Sequence, residues 1–304
     1  MVSQVNKTEV LRLYEYLQGR KELSTDEKQQ HYNETQGYIG EKKLEEKLKQ
    51  YSVHALQLYG LLLEHKASYF QIDGLLIFAD KIVLIEVKNI KGEFEFRDDK
   101  LYSIDHRKFY HHPFHQLQRT EMKLQALLTQ LNISIPIKSY VVFINPACTL
   151  FTHKNPQIVL PTQIDTWLQA LSEFSGMLQT KHEQVADKLV SQCLTQSPFS
   201  RFPKYSYSEL QKGVLCLHCR QTMERKKRKV KCCHCTYQEN FSSHILRGTI
   251  EFAALFPEQK MTTQAIINWS NGVVSERTVR NILRTYLVHH VNSTASYFTH
   301  KDRR

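Results

Sequence analysis

Two apolar runs separated by a short polar break constrain the fold of this chain more than any other feature. They lie within residues 69–89, are rich in β-branched and aromatic side chains, and are interrupted at Ala79-Asp80. This pattern predicts a β-hairpin. A two-residue loop at Ala79 and Asp80 would place Asp73 directly opposite Glu86 on the neighbouring strand. The sequence therefore predicts two carboxylates on one face of the hairpin.

Lys88 is predicted to lie on the same face as Glu86, because side chains alternate along a strand. Unpaired charges at the end of an apolar hairpin cost several kcal/mol, so they need compensation. A bound Mg²⁺ or Mn²⁺ ligated by Asp73 and Glu86 would supply it, with Lys88 stabilising negative charge on a water or phosphate. The alternative is a cross-strand salt bridge on a solvated face.

Four motifs in order carry a family resemblance, and together they are more specific than any one of them. The chain resembles the nuclease-related domain (NERD) over roughly residues 31–150. The motifs are YIGEKKLEEKL with Gly40-Glu41, QIDGLLI from Gln71, IEVKNIKGEF from Ile85, and HPFHQLQRTEMKL from His112. The last differs from the family pattern, which usually has Asn-Pro where this chain has His112-Pro113.

The resemblance implies a nuclease of the PD-(D/E)xK superfamily, with a restriction-endonuclease-like α/β fold in which helices flank a mixed sheet. It also implies the catalytic residues by position. They are the acidic helix residue Glu41, the metal-binding Asp73, the ExK pair Glu86 and Lys88, and Gln116. The Val87 carbonyl is expected as a further metal ligand.

The flanking segments agree with an α/β domain. Glu41 is expected to begin a helix, where its charge would also suit the helix dipole without any catalytic role. Gln116 lies in a second helical pattern, and a surface glutamine is the common alternative to a phosphate-orienting one. The run 139–145 predicts another buried strand.

The charge of the chain indicates a polyanionic partner. Its net charge of +11 and pI near 9.2 favour phosphate contacts, since each lysine or arginine on a phosphate releases condensed counterions. The sequence has neither an apolar stretch of about 18 residues nor a signal-peptide pattern, so a cytoplasmic protein without a membrane partner is expected. No Walker loop is present in the sequence, so ATP is not expected as a cofactor.

A second strong signal is the pair of CxxC motifs near the C-terminus. In a reducing cytoplasm, two such motifs separated by twelve residues predict a structural Zn²⁺ site in preference to disulfides or free thiols. The four cysteines are Cys216, Cys219, Cys232 and Cys235. Cys233 could substitute in a shifted register, and His218 and His234 are less regular alternatives. Cys148 and Cys193 are expected to be packing residues.

A dense basic run lies between the two CxxC motifs. In a zinc ribbon it would occupy the hairpin arms and tip and face a phosphate backbone, although such runs are often only solvated loops. The run comprises Arg225, Lys226, Lys227, Arg228 and Lys229, followed by Lys231.

Three helical patterns follow the ribbon, over 244–256, 262–269 and 275–287. The second and third resemble a helix-turn-helix, although any small three-helix unit can have this pattern. Candidate groove contacts on the third are Arg277, Thr278, Arg280, Asn281 and Arg284. The tail 289–304 is expected to be basic and mobile.

These observations predict five segments. They are an N-terminal helical arm (1–30) packed on the nuclease-like domain, that domain (31–190), a linker (191–210), a zinc ribbon (211–240), and a helix-turn-helix-like unit with a basic tail (241–304). The predicted function is metal-dependent hydrolysis of DNA. The alternatives are a DNA-binding regulator that does not cleave, and an RNA-processing factor in which Tyr237 and Phe241 stack on single strands.

Overall fold

The chain divides into two compact units in a computed structural model that describes residues 4–97, 99–174, 176–196, 198, 200–272, 275–291 and 296–299. Unit 1 comprises Met1–Thr8 and Tyr32–Ser200, and unit 2 comprises Glu9–His31 and Arg201–Arg304. The helices are α1 (Glu9–Leu17), α2 (Thr25–Gln50), α3 (Pro113–Gln130), α4 (Ile164–Ser172), α5 (Thr180–Ser191), α6 (Phe241–Leu255), α7 (Thr263–Trp269) and α8 (Glu276–Tyr286).

The described strands form four sheets of mixed size. They are β1 (Leu56–His65), β2 (Ser68–Ile77), β3 (Ile82–Lys88), β4 (Gly92–Arg97), β5 (Lys100–Ser103), β6 (Lys108–His111), β7 (Ile137–Phe143), β8 (Cys148–Phe151), β9 (Ile158–Val159), β10 (Met223–Lys226), β11 (Lys229–Cys232), β12 (Gln238–Asn240), β13 (Val288–Val291) and β14 (Ser296–Thr299).

Unit 1 is an α/β domain built on a five-stranded mixed sheet in the order β1-β2-β3-β7-β9. Strands β1, β2 and β3 pair antiparallel, whereas β3, β7 and β9 pair parallel. Both faces of the sheet are covered, because successive side chains of β3 enter different cores. Leu84 packs in a cluster with Leu117 and Leu124 of α3, and Ile85 packs in a cluster with Leu44 of α2. The predicted mixed α/β fold with flanking helices is confirmed.

A second, four-stranded sheet of unit 1 has the order β6-β5-β4-β8. One of its faces contributes Phe94, Leu101 and Leu150 to the same core as α3. Its strands β4, β5 and β6 follow β3 directly in the chain and lead into α3, so this segment connects the strand that carries Lys88 to the helix that carries Gln116. The fourth strand, β8, follows β7.

Unit 2 contains a three-stranded sheet (β10-β11-β12), the three helices α6, α7 and α8, and the β13-β14 hairpin. Ile266, Trp269, Val279 and Leu283 are buried in one cluster, which confirms the apolar face shared by α7 and α8.

Two sequence predictions about the ends of the chain are wrong. The N-terminal helix was expected to pack on the nuclease-like domain, but Val10 and Leu17 of α1 are buried in the core of unit 2 with Phe252 of α6. The tail 289–304 was expected to be mobile, but residues 289–291 and 296–299 lie in β13 and β14, and the rest of the tail lies outside the described residues. Phe298 is buried in the same core, and its backbone N–H donates to the Met261 carbonyl. Both errors concern contacts between residues far apart in sequence, which local patterns do not encode.

Arg20 joins the two sequence segments of unit 2. Its buried guanidinium donates to both carboxylate oxygens of Glu251 at 2.8 and 2.9 Å and to the Gly213 carbonyl at 2.8 Å, and it lies 4.3 Å from the Trp269 ring. Because the remaining Glu251 charge would be buried without its partner, Arg20→Ala should destabilise unit 2 by about 3–5 kcal/mol. Chemical denaturation checks this, with the exposed Arg12→Ala as the control; equal stability of both variants would contradict it.

None of the helices in the described part of the chain is both long enough and apolar enough to cross a membrane.

Candidate active site and metal centre

The β2–β3 hairpin has the register that the sequence predicts. Gly74 pairs with Ile85 and Ile77 with Ile82, and the Phe78 N–H donates to the Lys81 carbonyl across the turn. Continuing this register brings Asp73 opposite Glu86. The Asp73 carboxylate accepts a hydrogen bond from the Val87 backbone N–H at 2.9 Å, which fixes it against β3.

Lys88 is held between two polar side chains. Its ammonium donates to Glu86 Oε1 at 2.6 Å and to Gln116 Oε1 at 3.1 Å. Glu86 is 4% exposed, so the ion pair is not a fully solvated surface bridge. Gln116 reaches the site because His112 caps α3, accepting from the Phe114 N–H, and thereby places the first turn of α3 near the end of β3.

Glu41 lies in the interior of α2, not in its first turn as the sequence suggested, because the helix begins at Thr25. The helix-dipole explanation for this glutamate is therefore wrong, since the dipole acts within the first turn. The polar run 25–39 has too few apolar residues for its helical periodicity to be recognised. The carboxylates of Asp73 and Glu86 are close enough to raise the pKa of Glu41.

Burial and mutual repulsion dominate the electrostatics of these acids. Burial, followed by the Asp73 and Glu86 charges, raises the pKa of Glu41 to about 8. Burial and the Asp73 charge raise the pKa of Glu86 to about 7, although Lys88 opposes the shift. Burial also raises the pKa of Asp73, against the opposing Val87 N–H and Lys88. Among the groups that shift the pKa values of these three carboxylates, Lys88 is the lysine that lowers those of Asp73 and Glu86.

This donor set fits a hard divalent cation. Mg²⁺ and Mn²⁺ bind carboxylate oxygens, and a cation beside Asp73 and Glu86 would stabilise their charged forms, which burial and, for Glu86, the Asp73 charge disfavour. Asp73 and Glu86 could supply the acidic oxygens, and Glu41 lies near enough for their charges to act on it, although the three do not form a ligand group as close as that of the cysteines. Lys88 and Gln116 leave a polar rim where a phosphate could be bound.

Asn89 is a site residue that sequence reasoning missed. It is 8% exposed, and its amide donates to the backbone carbonyl and the side-chain oxygen of Gln36 at 2.9 and 3.1 Å, which fastens the end of β3 to α2. A polar amide immediately after an apolar strand was the available signal, because asparagine is uncommon in strands.

The raised pKa values predict a pH-dependent stability of unit 1 without divalent cations. Carboxyl groups with raised folded-state pKa values stabilise the fold below their ordinary pKa of 4.5, and this contribution is lost as pH rises through about 7 to 8. We expect unit 1 to lose several kcal/mol between pH 5 and 8, since each unit of pKa shift corresponds to about 1.4 kcal/mol, and Glu41→Gln to reduce that loss. Hydrogen exchange of β3 measures it; a loss that Glu41→Gln leaves unchanged would contradict the assignment.

Gly40 allows α2 to approach β3 closely. A Cβ at this position would lie 2.7 Å from the Asn89 Cβ and 3.2 Å from a Val87 methyl group. Gly40→Ala should therefore displace Glu41, destabilise unit 1 by about 1–3 kcal/mol, and slow any reaction at the site. Gly37→Ala is the matched control on the same helix: nothing lies within 4 Å of its Cβ, so it should stabilise α2 by up to about 1 kcal/mol. Thermal denaturation that ranks both variants equally would contradict this prediction.

The four cysteines of the CxxC motifs converge in unit 2, where they could hold a metal such as zinc. Sγ–Sγ distances are 3.6 Å for Cys216–Cys235, 3.3 Å for Cys219–Cys232 and 3.8 Å for Cys219–Cys235. Four thiolates at tetrahedral zinc, with Zn–S bonds of about 2.3 Å, lie about 3.8 Å apart.

Backbone amides donate hydrogen bonds to two of these sulfurs, which favours the thiolate form that binds a metal. The His218 N–H donates to Cys216 Sγ at 3.4 Å, and the His234 N–H donates to Cys232 Sγ at 3.3 Å, which lowers the pKa of the Cys232 thiol to about 6. Cys233 is exposed and outside the cluster, so the shifted register is wrong.

The basic run forms the exposed β10–β11 hairpin, with Lys227 and Arg228 in its turn. The Arg225 guanidinium lies 4.0 Å from the Phe241 ring, and Phe241 is buried. A stacking role of Phe241 on single strands is therefore wrong. The Tyr237 ring lies 4.5 Å from the His218 ring.

The candidate groove contacts lie on one exposed side of α8. Arg277, Arg280 and Arg284 are exposed, whereas Val279 and Leu283 are buried on the opposite side. Arg280 also pairs with Glu276 one turn earlier. Asn281 is exposed and Thr278 half-buried.

No curated protein and no solved structure matches this chain. A family model does match, over the segment that contains Glu41, Asp73, Glu86, Lys88 and Gln116. A domain of this kind suggests a nuclease-related function and implies interaction with nucleic acid in general. Residues 36–144 of this chain match the nuclease-related domain, NERD.

Proposed function

We propose that this protein is a cytoplasmic, metal-dependent nuclease that hydrolyses phosphodiester bonds in DNA. The observation that carries the proposal is the convergence of carboxylates, one lysine and one glutamine at the end of β3. Lys88 contacts both Glu86 and Gln116, Asp73 is bonded to the Val87 N–H, and the Asp73 and Glu86 charges act on Glu41. A salt bridge alone would need one acid and one base, not three acids.

Asp73 and Glu86 would hold Mg²⁺ or Mn²⁺, with the Val87 carbonyl as a further ligand. When bound, such a cation lowers the pKa of a ligated water and stabilises negative charge on a phosphate. Lys88, oriented by Glu86 and Gln116, places its ammonium where charge grows on the phosphate oxygens. Glu41 orients a water or assists at a second cation, and Gln116 positions the phosphate.

Unit 2 would bind the nucleic acid. A structural zinc at the four cysteines would fix the ribbon, whose hairpin presents Lys226, Lys227, Arg228 and Lys229 to solvent. Arg277, Arg280 and Arg284 would contact DNA from α8, as a recognition helix does. The phosphate contacts of both elements should make binding strongly salt-dependent.

The test is cleavage of labelled double- and single-stranded DNA and RNA, with Mg²⁺, with Mn²⁺, or after the divalent cations are removed by gel filtration. Asp73→Ala and Glu86→Ala should abolish cation-dependent cleavage. Asp80→Ala, in the exposed turn of the same hairpin, is the matched control and should cut at the wild-type rate. Tight DNA binding without cleavage under every condition would overturn the proposal and favour a non-cleaving regulator. Cleavage confined to RNA would favour RNA processing.

A further inference from the structure

The outer face of the four-stranded sheet in unit 1 carries a row of aromatic rings. Phe151, Tyr102 and Phe109 occupy β8, β5 and β6 at one level, because Glu95 of β4 pairs with both Phe151 and Tyr102, and Tyr102 pairs with Phe109. Phe109 is 48% exposed and Phe151 52% exposed. On the opposite face Leu150 and Leu101 are core residues, whereas the edge strand β6 is exposed on both faces. We call these three rings the aromatic row.

A basic row lies beside the aromatic row on the same face. Arg97 pairs with Lys100 and Lys100 with His111, two residues further along each strand. Both cations contact the rings: Arg97 lies 4.2 Å from the Tyr102 centroid and Lys100 lies 5.7 Å from the Phe109 centroid. The two rows are separated by two residues, or about 6.6 Å along a strand.

We propose that this face binds an unpaired DNA strand, with bases stacked on the aromatic row and phosphates on the basic row. Exposed rings are sequence-tolerant platforms for base stacking, and a four-stranded sheet that displays them is a known way to bind single strands. Duplex bases cannot use such rings, because their faces are already stacked on one another. The proposal deepens the proposed function, on which the choice of DNA over RNA rests.

A protein partner fits this face less well than a nucleic acid. The cores of protein interfaces are depleted of charged residues, above all lysine, whereas here a lysine and an arginine lie against the rings themselves. Two acids of β4 share this face. Glu95 lies between Phe151 and Tyr102 and is paired with Arg97, so it adds little repulsion toward a phosphate backbone. Glu93 is exposed and lies on the side of the aromatic row that faces away from the basic row. The charge of the basic row therefore complements the phosphates of a strand of nucleotides.

The position of the four-stranded sheet in the chain links the aromatic row to the candidate active site. Three residues join Lys88 at the end of β3 to the start of β4, and β6 leads through His112 into the turn of α3 that carries Gln116. A strand bound on this sheet would thus be held by the element that connects the two halves of the site. The predicted consequence is a preference for substrates with an unpaired segment, such as single strands, overhangs or flaps.

The first test is equilibrium binding of fluorescent oligo(dT) and of a duplex of equal length, both in the Lys88→Ala background so that binding is read without cleavage. Phe109→Ala and Phe151→Ala should each weaken oligo(dT) binding about tenfold and change duplex binding less than about twofold. Phe109→Tyr should restore binding. Tyr32→Ala, an equally exposed ring on α2, is the matched control and should leave both affinities unchanged.

Three results would overturn the proposal. One is wild-type affinity of both alanine variants for oligo(dT), and another is an equal loss on single strands and duplex, which would indicate backbone contacts alone. The third is a change of oligomeric state in the variants, measured by light scattering, because it would assign the face to a second copy of the chain. A larger effect on oligo(U) than on oligo(dT) would overturn the assignment to DNA.

Crosslinking locates the contact even if unit 2 dominates the total affinity. An oligonucleotide containing 5-iodouracil should crosslink to peptides that contain Tyr102, Phe109 or Phe151, and crosslinks confined to unit 2 would contradict the proposal. These readouts are independent of catalysis. If Lys88→Ala still cleaved DNA, the proposed active site would be wrong. The crosslinking results would still show whether an unpaired strand binds at the aromatic row.

Discussion

Lys88→Ala should slow DNA cleavage by about a thousandfold, to the background of the assay, while DNA affinity stays within a few-fold of wild type. The reason is that the Lys88 ammonium is hydrogen-bonded within the candidate site, to Glu86 at 2.6 Å and to Gln116 at 3.1 Å. Its charge is most valuable where the phosphate gains negative charge in the transition state. DNA binding instead depends on many phosphate contacts, of which this lysine is at most one.

Single-turnover kinetics with saturating protein separates the two effects, because the rate then reports the bound complex. Lys138→Ala is the matched control, since Lys138 is an exposed lysine on β7, the strand that pairs with β3. Folding of Lys88→Ala is verified by hydrogen exchange of β3. A folded Lys88→Ala protein that cuts at the wild-type rate would make the assigned mechanism wrong.

Cys232→Ala should release the proposed zinc and unfold the ribbon. Apparent zinc binding energies in small thiolate sites are about 10–16 kcal/mol, which exceeds what the few apolar residues of the ribbon can replace. We expect loss of one zinc per chain, loss of exchange protection in β10 and β11, and weaker DNA binding at low salt. Unit 1 should keep its protection, because its core contains none of these cysteines.

Cys233→Ala distinguishes this prediction from a general effect of losing a thiol. Cys233 is adjacent in sequence but exposed and outside the cluster, so this variant should retain zinc and full protection. Zinc content by elemental analysis is the measurement. Retention of zinc by Cys232→Ala, or its loss from Cys233→Ala, would show that the ligands are assigned incorrectly.

The parts of the fold that sequence predicts are those fixed by short-range rules. A two-residue turn and strand alternation are enough to set Asp73 against β3, and the spacing of two CxxC motifs is enough to identify the cysteine cluster. The family resemblance then added Glu41 and Gln116, whose own local patterns also allowed ordinary surface roles. The structure places both beside the hairpin residues.

The parts that sequence missed depend on packing between distant or weakly patterned segments. The β4–β6 strands are short and carry charges and rings on one face, so they show little of the periodicity that marks a strand. Helix α2 begins sixteen residues before Glu41 in a polar run that has almost no buried side chains. The burial of α1 and Phe298 in one core involves opposite ends of the chain.

The divided unit 2 imposes an order on the synthesis of this protein. The apolar face of α1 leaves the ribosome well before its partner α6, which begins roughly 220 residues later in the chain. At translation speeds of about 5–20 residues per second, that interval is roughly 10 to 45 s, long enough for residues 32–200 to fold meanwhile. During this time Val10 and Leu17 have no core in which to be buried, so the apolar face of α1 is exposed and prone to aggregation. Helix α1 is therefore made before most of unit 1, although it belongs to a unit that can fold only after unit 1 has been made, and a nascent-chain chaperone would have a target there.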